Sequence, residues 1–535
     1  MPDPAAPADR GVRQLLRNDP RVREALLVAA VTGIAAALRL WRIGSVPLGL
    51  HGDEAWTGLD AQRILDEGWI GPYVISALGQ PAGPLYYVAG LFAFLPETTT
   101  TLRAAMAVLG IATIPASYIA FRSMFDRTTA LMAVAILAGL MWHLHLSRTG
   151  FMVTAQPLMQ VLVLWVLFEG LRRRSAWLML GAGILFGLGV YAYNAYLVFM
   201  PVPLIAIALT IARERNREQR IVLGWSAVIF VSAAIIVCLP MIQYVLTDWD
   251  TYRLHQEIVS VTSSEEWDDA GVFGKADVLA DRSWEWMEAM WLGDRPDFGD
   301  GLAEQDAPPV HPMIFGLAIV GLAMSAWRWQ STPHAVVIAA VLLLPAGALL
   351  TTGDGLFRRT IGITPFIAVL AAMPLAWLWS REPRWAWRSA IVAAVVFPGA
   401  IAARQYFGPV QDSVVVRYVY PFELDAAARY MGTLPDGTFI YYYSDRWRMG
   451  YETVRFLAPD IEGADRTQQY LESGPPPLSD LDLSNERDKP VAYVFLGAYM
   501  PALETAAREH PGGTIAEGKR GEETVFRAYL LEGEE

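Results

Sequence analysis

Long apolar stretches recur along most of this 535-residue chain and are separated by short loops that carry charged residues. About 20 apolar residues make a helix long enough to cross the ~30 Å hydrocarbon layer of a membrane. Eleven segments approach or reach this length: 25–38, 102–121, 128–146, 151–171, 176–193, 196–212, 221–246, 312–328, 335–350, 360–379 and 387–403. The pattern predicts a polytopic all-α membrane protein.

Two other segments with apolar positions are predicted not to cross. Residues 55–67 have the mixed apolar and charged pattern of an amphipathic surface helix. Residues 83–95 are apolar, but a helix of that length would cross only about two thirds of the hydrocarbon layer. We therefore predict an interfacial or re-entrant helix there.

The arginines decide the orientation. With eleven spans, most arginine clusters fall in cytoplasmic loops, as the positive-inside rule requires: residues 122 and 127, 172–174, 213–220, 328 and 381–388. Counting residues 83–95 as a span would move Arg172–Arg174 outside. We predict a multi-pass protein of the plasma (inner) membrane, with a cytoplasmic tail at 1–23 and outer loops at 41–101 and 247–310.

From residue 404 the composition becomes that of a soluble domain, so we predict a transmembrane domain at 24–403 and a small extracytoplasmic α/β domain at 404–535. Its predicted elements are strands 438–444, 491–496 and 524–531, helices 424–431 and 501–510, and a Pro-rich loop at 473–480. No glycine-rich phosphate-binding loop follows a strand, so nucleotide binding is not predicted. A structural or acceptor-binding role is expected.

Composition supports the membrane class. The chain is 54% hydrophobic, its mean hydropathy is +0.31, and it contains 19 Trp. The single cysteine, Cys238, excludes an intramolecular disulfide, and no zinc-ligand spacing is visible. No nucleic-acid partner is expected; membrane lipid is.

The most informative polar motif follows the first span, where Asp53 and Glu54 stand between glycines and next to His51. An acidic pair on the outer face of such a chain is a candidate general base or cation ligand. The alternative is a hydrated loop in which one carboxylate caps the following helix. The local sequence leaves both interpretations open.

Cationic residues also gather on the predicted outer side. His145, Arg148 and Arg103 lie at the ends of spans, and Arg358 and Arg359 lie outside against the charge rule. They could bind a lipid-linked phosphate or anchor spans at the interface. Tyr191, Tyr193 and Asn194 could line a sugar pocket or be interfacial residues.

In this order the motifs resemble those of GT-C membrane glycosyltransferases, and in particular the protein O-mannosyltransferase-like group (glycosyltransferase family 39). The resemblance covers the membrane part and rests on Asp53-Glu54, Pro84 to Tyr87, Arg103, His145 to Arg148 and Arg358 to Pro365. It implies a polyprenyl- or dolichyl-phosphate sugar donor and inversion at the sugar's anomeric carbon on the outer face.

The resemblance also implies roles for residues. Asp53, with Glu54 beside it, would deprotonate an acceptor hydroxyl on a cell-envelope glycan, lipid or protein. The five cationic residues, led by Arg358 and Arg359, would hold the departing phosphate. Tyr86 would join Tyr191, Tyr193 and Asn194 in sugar or acceptor binding. The sugar, a hexose or a pentose, is left open.

Two departures from the family matter. Residues 150–156 lack the second acidic residue that many GT-C relatives carry, so a divalent cation is doubtful. Gln80-Pro81-Ala82-Gly83 stands where the family usually has His-Pro-Pro. Two other function classes therefore remain open: a lipid-linked sugar flippase or transporter, and a non-catalytic scaffold of the same fold.

Overall fold

The structure is a computed structural model that describes residues 19–293, 302, 307–353, 355–382, 384–467, 474, 477–485 and 489–532. Most of the predicted tail 1–23, Asp354, and parts of the predicted loops 247–310 and 473–480 lie outside the described residues.

The described chain is mainly helical. Its α-helices, numbered in chain order, are α1 Pro20–Leu40, α2 Gly52–Glu67, α3 Gly83–Phe92, α4 Thr99–Met124, α5 Arg127–Gly139, α6 Met141–Leu146, α7 Ala155–Arg173, α8 Ala176–Gly189, α9 Pro201–Arg213, α10 Arg217–Thr247, α11 Trp249–Val259, α12 Glu265–Asp269, α13 Val272–Leu292, α14 Pro312–Trp327, α15 Thr332–Leu343, α16 Ala346–Leu349, α17 Leu356–Arg359, α18 Thr364–Arg381, α19 Trp385–Tyr406, α20 Val414–Val419, α21 Phe422–Met431, α22 Glu452–Leu457 and α23 Leu503–Glu509.

Seven helical segments among the described residues are long and apolar enough to cross a membrane: Thr99–Met124, Met152–Arg173, Asn194–Arg213, Arg217–Thr247, Thr332–Leu349, Ile361–Arg381 and Trp385–Asp412. Three more predicted spans coincide with shorter apolar helices, α5, α8 and α14. The first predicted span lies within α1. The membrane class is thus supported, whereas the count of eleven spans is not confirmed.

The predicted span 128–146 is not one helix, because the chain leaves helical geometry at Leu140 (φ −70°, ψ 119°). The break releases the amide of Trp142, which donates to the carbonyl of Pro309 at 3.1 Å. It also frees the carbonyl of Ala138, which accepts from Arg39 Nη1 at 3.0 Å. Both backbone groups are therefore satisfied inside the protein, as a buried break requires.

Small residues allow the long helices to approach one another closely. A Cβ added to Gly187 of α8 would lie 2.8 Å from the carbonyl oxygen of Ala234 in α10. A Cβ added to Gly139 of α5 would lie 2.6 Å from the Cα of Gly399 in α19. Close backbone approach through glycine is a common way for membrane helices to gain packing contacts.

The topology can be tested with single cysteines in a Cys238→Ala background. We expect an impermeant maleimide to label Asp436→Cys, an exposed position of the C-terminal part, in intact cells. Arg173→Cys changes the last residue of α7, where Glu169 pairs with Arg172 and Arg173. It should be labelled only after permeabilisation. Labelling of residue 173 in intact cells would contradict the predicted orientation.

The strands are β1 Tyr73–Val74 and β2 Gln80–Pro81, which pair as a short hairpin, and five C-terminal strands: β3 Phe439–Tyr443, β4 Glu462–Asp465, β5 Val491–Leu496, β6 Thr514–Arg520 and β7 Glu523–Leu531. The five form one sheet in the order β4-β3-β5-β7-β6. Strand β3 is parallel to β4 and β5, whereas β7 is antiparallel to β5 and β6.

Only three of these five strands were predicted. The missed strands β4 and β6 are the two edges of the sheet, and they carry charged, exposed side chains instead of an apolar run. The predicted β3 and β5 are fully buried and stack their aromatic rings, with Tyr441 against Tyr493 and Tyr443 against Phe495.

The chain forms two compact units. The first contains Met1–Ile43, Ile70–Pro84 and Arg103–Val410, and the second contains Gly44–Trp69, Leu85–Leu102 and Gln411–Glu535. The second unit therefore combines the C-terminal sheet with helix α2 and most of α3. The sequence had assigned those two helices to the transmembrane domain.

Candidate active site

The acidic pair begins helix α2 in the second unit. Glu54 is wholly buried, and its carboxylate accepts a hydrogen bond from the amide of His51 at 3.0 Å. In return, Nδ1 of His51 accepts from the amide of Asp53 at 2.9 Å. This reciprocal capping box satisfies two backbone donors that a helix N-terminus otherwise leaves unpaired. The alternative interpretation, a helix cap, therefore applies to Glu54.

Asp53 is placed differently. It is the second residue of α2 and is half-buried. The positive end of the helix dipole favours an ionised carboxylate at this position. The two carboxylates of the pair thus separate in role, because Glu54 caps the helix and Asp53 is the candidate base.

Residues of the C-terminal part pack around this helix start. The Thr453 hydroxyl donates to the carbonyl of Leu50 at 3.0 Å. The Tyr420 ring lies edge-on to His51 with centroids 5.9 Å apart. A Cβ added to Gly52 would lie only 2.6 Å from the Tyr451 hydroxyl oxygen. The glycine before Asp53 is therefore needed for the close approach of Tyr451.

Tyr451 stays protonated at neutral pH. Burial, together with the nearby Glu452 and Asp53 carboxylates, raises its pKa to about 12. A neutral phenol can donate a hydrogen bond to a carboxylate or to a sugar hydroxyl. None of Thr453, Tyr420 and Tyr451 was predicted from the sequence as part of the site.

In the first unit, Arg148 is wholly buried and binds the end of helix α1. Its Nη1 donates to the carbonyls of Leu38 and Arg39 at 2.7 and 2.8 Å, and its Nη2 to that of Trp41 at 2.8 Å. These carbonyls belong to the last turn of the helix and the residue after it, where orphan acceptors need partners. The contacts favour a structural role for Arg148, and the predicted role in phosphate binding stays a prediction.

The histidines of the same segment are buried as well. His143 Nδ1 lies 2.8 Å from Nη2 of Arg39, so the ring accepts a hydrogen bond from that guanidinium. His145 packs edge-on against Tyr406, with centroids 5.5 Å apart. Arg39 was missing from the predicted site, and of the two histidines only His145 was placed in it. Arg39 joins Arg148 in a buried cationic group around the end of α1, and His143 is a neutral acceptor beside it.

Arg103 belongs to this group. It is wholly buried, and its charge, like that of Arg42, lies close enough to Arg148 to act on it. Burial lowers the pKa of Arg148 below the usual value for arginine; Arg103 and Arg42 act in the same direction, and Tyr406 opposes them. Arg42, Arg103 and Arg148 thus bring three cationic side chains close together in the first unit.

The two predicted phosphate-binding arginines of α17 differ. Arg359 Nη1 donates to the carbonyl of Thr352 at 2.8 Å and so braces its own loop. The Arg358 guanidinium stacks on the ring of Phe151 at 4.6 Å. Because Phe151 is three residues from Arg148, the structure brings Arg358 to the segment that carries the buried cations. Arg358 is the better candidate for a phosphate ligand.

The predicted sugar-binding residues are occupied by packing contacts. The Tyr191 hydroxyl donates to the carbonyl of Val237 at 2.8 Å and accepts from the amide of Met241 at 3.4 Å, replacing a helical bond beside Pro240. Asn194 donates to the carbonyl of Gly79 at 3.0 Å, and Tyr193 is half-buried at the same turn. Tyr86, in the second unit, stacks on Trp69 at 5.0 Å. Their role in sugar binding remains a prediction.

A metal site finds no support in the described part of the chain. No group of three or more His, Cys, Asp or Glu side chains is arranged there to hold an ion. The buried polar residues of the 150–156 segment are Thr154 and Gln156, and Gln156 packs with Gln160 against Gly362. Neutral amides are weak ligands for a divalent cation compared with carboxylates. We therefore derive no catalytic step through a metal.

Residues 80–244 match the model of a family described as dolichyl-phosphate-mannose-protein mannosyltransferase. No curated protein sequence matches the chain. The matched region begins at β2 and ends in α10, so it includes Arg103 and Arg148 but neither carboxylate of the acidic pair.

Two glycosyltransferases of the GT-C fold have similar solved structures. The oligosaccharyltransferase AglB from Archaeoglobus fulgidus, in complex with an inhibitory peptide and a dolichol-phosphate, gives a TM-score of 0.53 at 14% identity, covering 83% of this chain and 64% of AglB. ArnT from Cupriavidus metallidurans in the apo state gives a TM-score of 0.53 at 12% identity, covering 96% of this chain and 98% of ArnT. ArnT bound to undecaprenyl phosphate gives a TM-score of 0.52 at 12% identity, covering 95% of this chain and 97% of ArnT.

These similarities confirm the resemblance to GT-C membrane glycosyltransferases at the level of the fold. The chain spans less than two thirds of the AglB chain but nearly the whole of ArnT.

Proposed function

We propose that the protein is an inverting glycosyltransferase that moves a sugar from a polyprenyl-phosphate donor to an acceptor hydroxyl on the outer face of the membrane. The observation that carries the proposal is that the two carboxylates of the acidic pair are placed differently. Glu54 caps the helix through the amide of His51. Asp53 is half-buried at the positive end of α2, near the protonated Tyr451. A positioned carboxylate of this kind suits a general base.

In the proposed reaction, the Asp53 carboxylate takes the proton of the acceptor hydroxyl as its oxygen attacks the anomeric carbon of the donor sugar. The bond from that carbon to the phosphate oxygen breaks, and its electron pair leaves with the polyprenyl phosphate. Attack opposite to the leaving group inverts the anomeric configuration. Cationic side chains stabilise the negative charge that develops on the phosphate.

A lipid-linked donor is supported by the chemistry of the chain. Nucleotide sugars carry a diphosphate, for which binding sites normally offer a glycine-rich loop or a metal-binding acidic cluster. A monophosphate needs only a few cationic donors, and Arg358, which stacks on Phe151 in the same unit as Arg103 and Arg148, supplies one. AglB and ArnT have been solved with dolichol-phosphate and undecaprenyl phosphate, respectively. We extend that donor class to this chain, with a cell-envelope glycan, lipid or protein as acceptor.

We expect Arg358→Ala to reduce donor use without unfolding the protein, because the change removes a guanidinium that stacks on the ring of Phe151 at the surface of α17 and leaves the backbone unaltered. Arg359→Ala is the matched control, since it should loosen the loop at Thr352 instead. Initial rates with a polyprenyl-phosphate sugar should show a raised KM for Arg358→Ala if the contact serves ground and transition states alike. A lowered kcat would assign the arginine to the leaving phosphate. Unchanged kinetics would remove Arg358 from the site.

A further inference from the structure

The C-terminal sheet contains a topological switch point. Strand β3 lies between its parallel neighbours β4 and β5. After β3 the chain continues to β4 on one side of this pair, and after β5 it continues to β6 and β7 on the other side. The loops after β3 and β5 therefore diverge and leave a crevice at the carboxyl ends of these strands. Ligands of open α/β sheets bind at such crevices.

The crevice is preformed. Gly497, directly after β5, has a φ of +57°, and a side chain there would collide with the carboxylate of Asp445, which follows β3. The amide of Ala498 donates to the same carboxylate at 2.9 Å. These contacts tie the two loops together and border a cavity of about 200 Å³. The volume lies below the ~300–1,000 Å³ of pockets for drug-sized ligands, so it suits a small unit of a longer molecule.

Charge identifies the kind of ligand. Three arginines and three carboxylates line the cavity: Arg417, Arg446, Arg520, Glu423, Asp445 and Glu523. Arg417 pairs with Glu523 at 3.0 Å and Arg446 with Glu423 at 3.6 Å. Because the charges balance, the cavity offers no net attraction to a phosphate or to another ion.

The polar groups are instead matched to hydroxyls, and an aromatic side chain completes the lining. Planar guanidinium and carboxylate groups offer closely spaced donors and acceptors. The indole of Trp447 is fixed by its hydrogen bond to Glu423 at 3.2 Å and by Arg446, 4.3 Å from the ring centroid. Balanced charges beside an aromatic side chain suit a neutral ring that bears many hydroxyls, which is a sugar.

The cavity connects to the acidic pair within the same compact unit. The ring of Trp447 lies 4.8 Å from that of Tyr451, centroid to centroid. The Tyr451 hydroxyl in turn packs against Gly52, the residue before Asp53. Trp447 and Tyr451 therefore connect the lining of the cavity to the residue before the candidate base.

We propose that this crevice, defined by Asp445, Trp447 and Gly497, binds a neutral sugar unit of a glycan acceptor. Asp445 accepts hydrogen bonds from its hydroxyls, and Trp447 forms part of the wall. Sugar binding stands on the crevice itself. Its assignment to the acceptor rests on the proposed function.

Binding is measured without turnover, on the full chain in lipid nanodiscs, by saturation-transfer difference NMR. The probes are α-1,2-mannobiose, maltotriose and arabinotriose, with inorganic phosphate as the anionic probe. We expect saturation transfer to at least one neutral oligosaccharide and none of its signal to be displaced by phosphate. Asp445→Asn keeps an oxygen for the Ala498 amide but loses the charge, so affinity should fall about tenfold. Asp460→Asn, an exposed position outside the crevice, is the matched control.

No signal from any neutral probe, equal signals for both variants, or displacement by phosphate would overturn the proposal. The Asp53→Asn protein separates the two proposals, since it should retain sugar binding while losing transfer. If the unaltered chain bound an oligosaccharide but transferred no sugar from any donor, the sugar-binding crevice would stand and the proposed enzymatic function would be refuted. Normal transfer by Asp445→Asn, together with its loss of sugar binding, would leave the enzyme intact and refute the assignment of the crevice to the acceptor.

Discussion

Replacing Asp53 by asparagine should lower kcat about 10²–10⁴-fold, the usual contribution of a positioned general base. Asparagine has nearly the same shape and cannot take a proton from the acceptor hydroxyl. The amide of residue 53 still donates to His51, so the start of α2 should remain folded. Steady-state transfer rates, with folding checked by gel filtration and thermal melting, measure the effect.

Glu54→Gln is the control that the capping box supplies. A glutamine oxygen can still accept from the amide of His51, and capping boxes use either residue. Activity should therefore stay within a few-fold of the unaltered protein. If both substitutions had equal, mild effects, the acidic pair would be only a helix cap and the base would lie elsewhere.

Arg148→Met should destabilise the first unit more than any other single change at the site. The substitution removes hydrogen bonds to the carbonyls of Leu38, Arg39 and Trp41. Hydrogen bonds to a charged group contribute about 1.5–3 kcal/mol each, and buried acceptors left unpaired add a penalty. We expect a loss of several kcal/mol, seen as a lower melting temperature and a smaller folded fraction in detergent.

Two variants calibrate that result. Arg148→Lys retains the charge but lacks the forked donors, so it should recover only part of the loss. Arg63→Met removes an exposed helix-surface arginine that pairs with Glu67 and should change stability little. A stable Arg148→Met protein with a raised KM for the donor would contradict the structural role of Arg148 and support its predicted role as a phosphate ligand.

The long helices could be predicted because twenty consecutive apolar side chains need a membrane or a large core. The break at Leu140 could not, since its only local mark is Gly139, a residue type that is common inside membrane helices, and the neighbouring residues are apolar. It depends on two distant partners, Arg39 and Pro309, that satisfy the released backbone groups. The edge strands β4 and β6 were missed for the same reason, namely that contacts with distant residues decide their structure. Pairing with a neighbouring strand outweighs their weak local pattern.

The acidic pair was predictable because two carboxylates between glycines are conspicuous beside a membrane span. Its surroundings were not. Thr453 and Leu50 are 403 positions apart, and nothing near Tyr451 in the sequence marks it as a partner of Gly52. Conversely, Arg148 and Tyr191 looked like ligands in sequence because polar side chains at span ends suit either binding or packing. The backbone carbonyls that they contact favour packing, and their binding roles stay predictions.

The central claim is that Asp53 promotes sugar transfer from a polyprenyl-phosphate donor. Its most direct test is a single-turnover reaction in nanodiscs, with excess protein and a radiolabelled polyprenyl-phosphate mannose or arabinose, comparing the unaltered chain with Asp53→Asn. We predict release of polyprenyl phosphate and labelled product of inverted anomeric configuration from the unaltered chain, and a rate at least about 100-fold lower for the variant. Intact donor that is moved across the bilayer without cleavage, or equal cleavage by both proteins, would contradict the account.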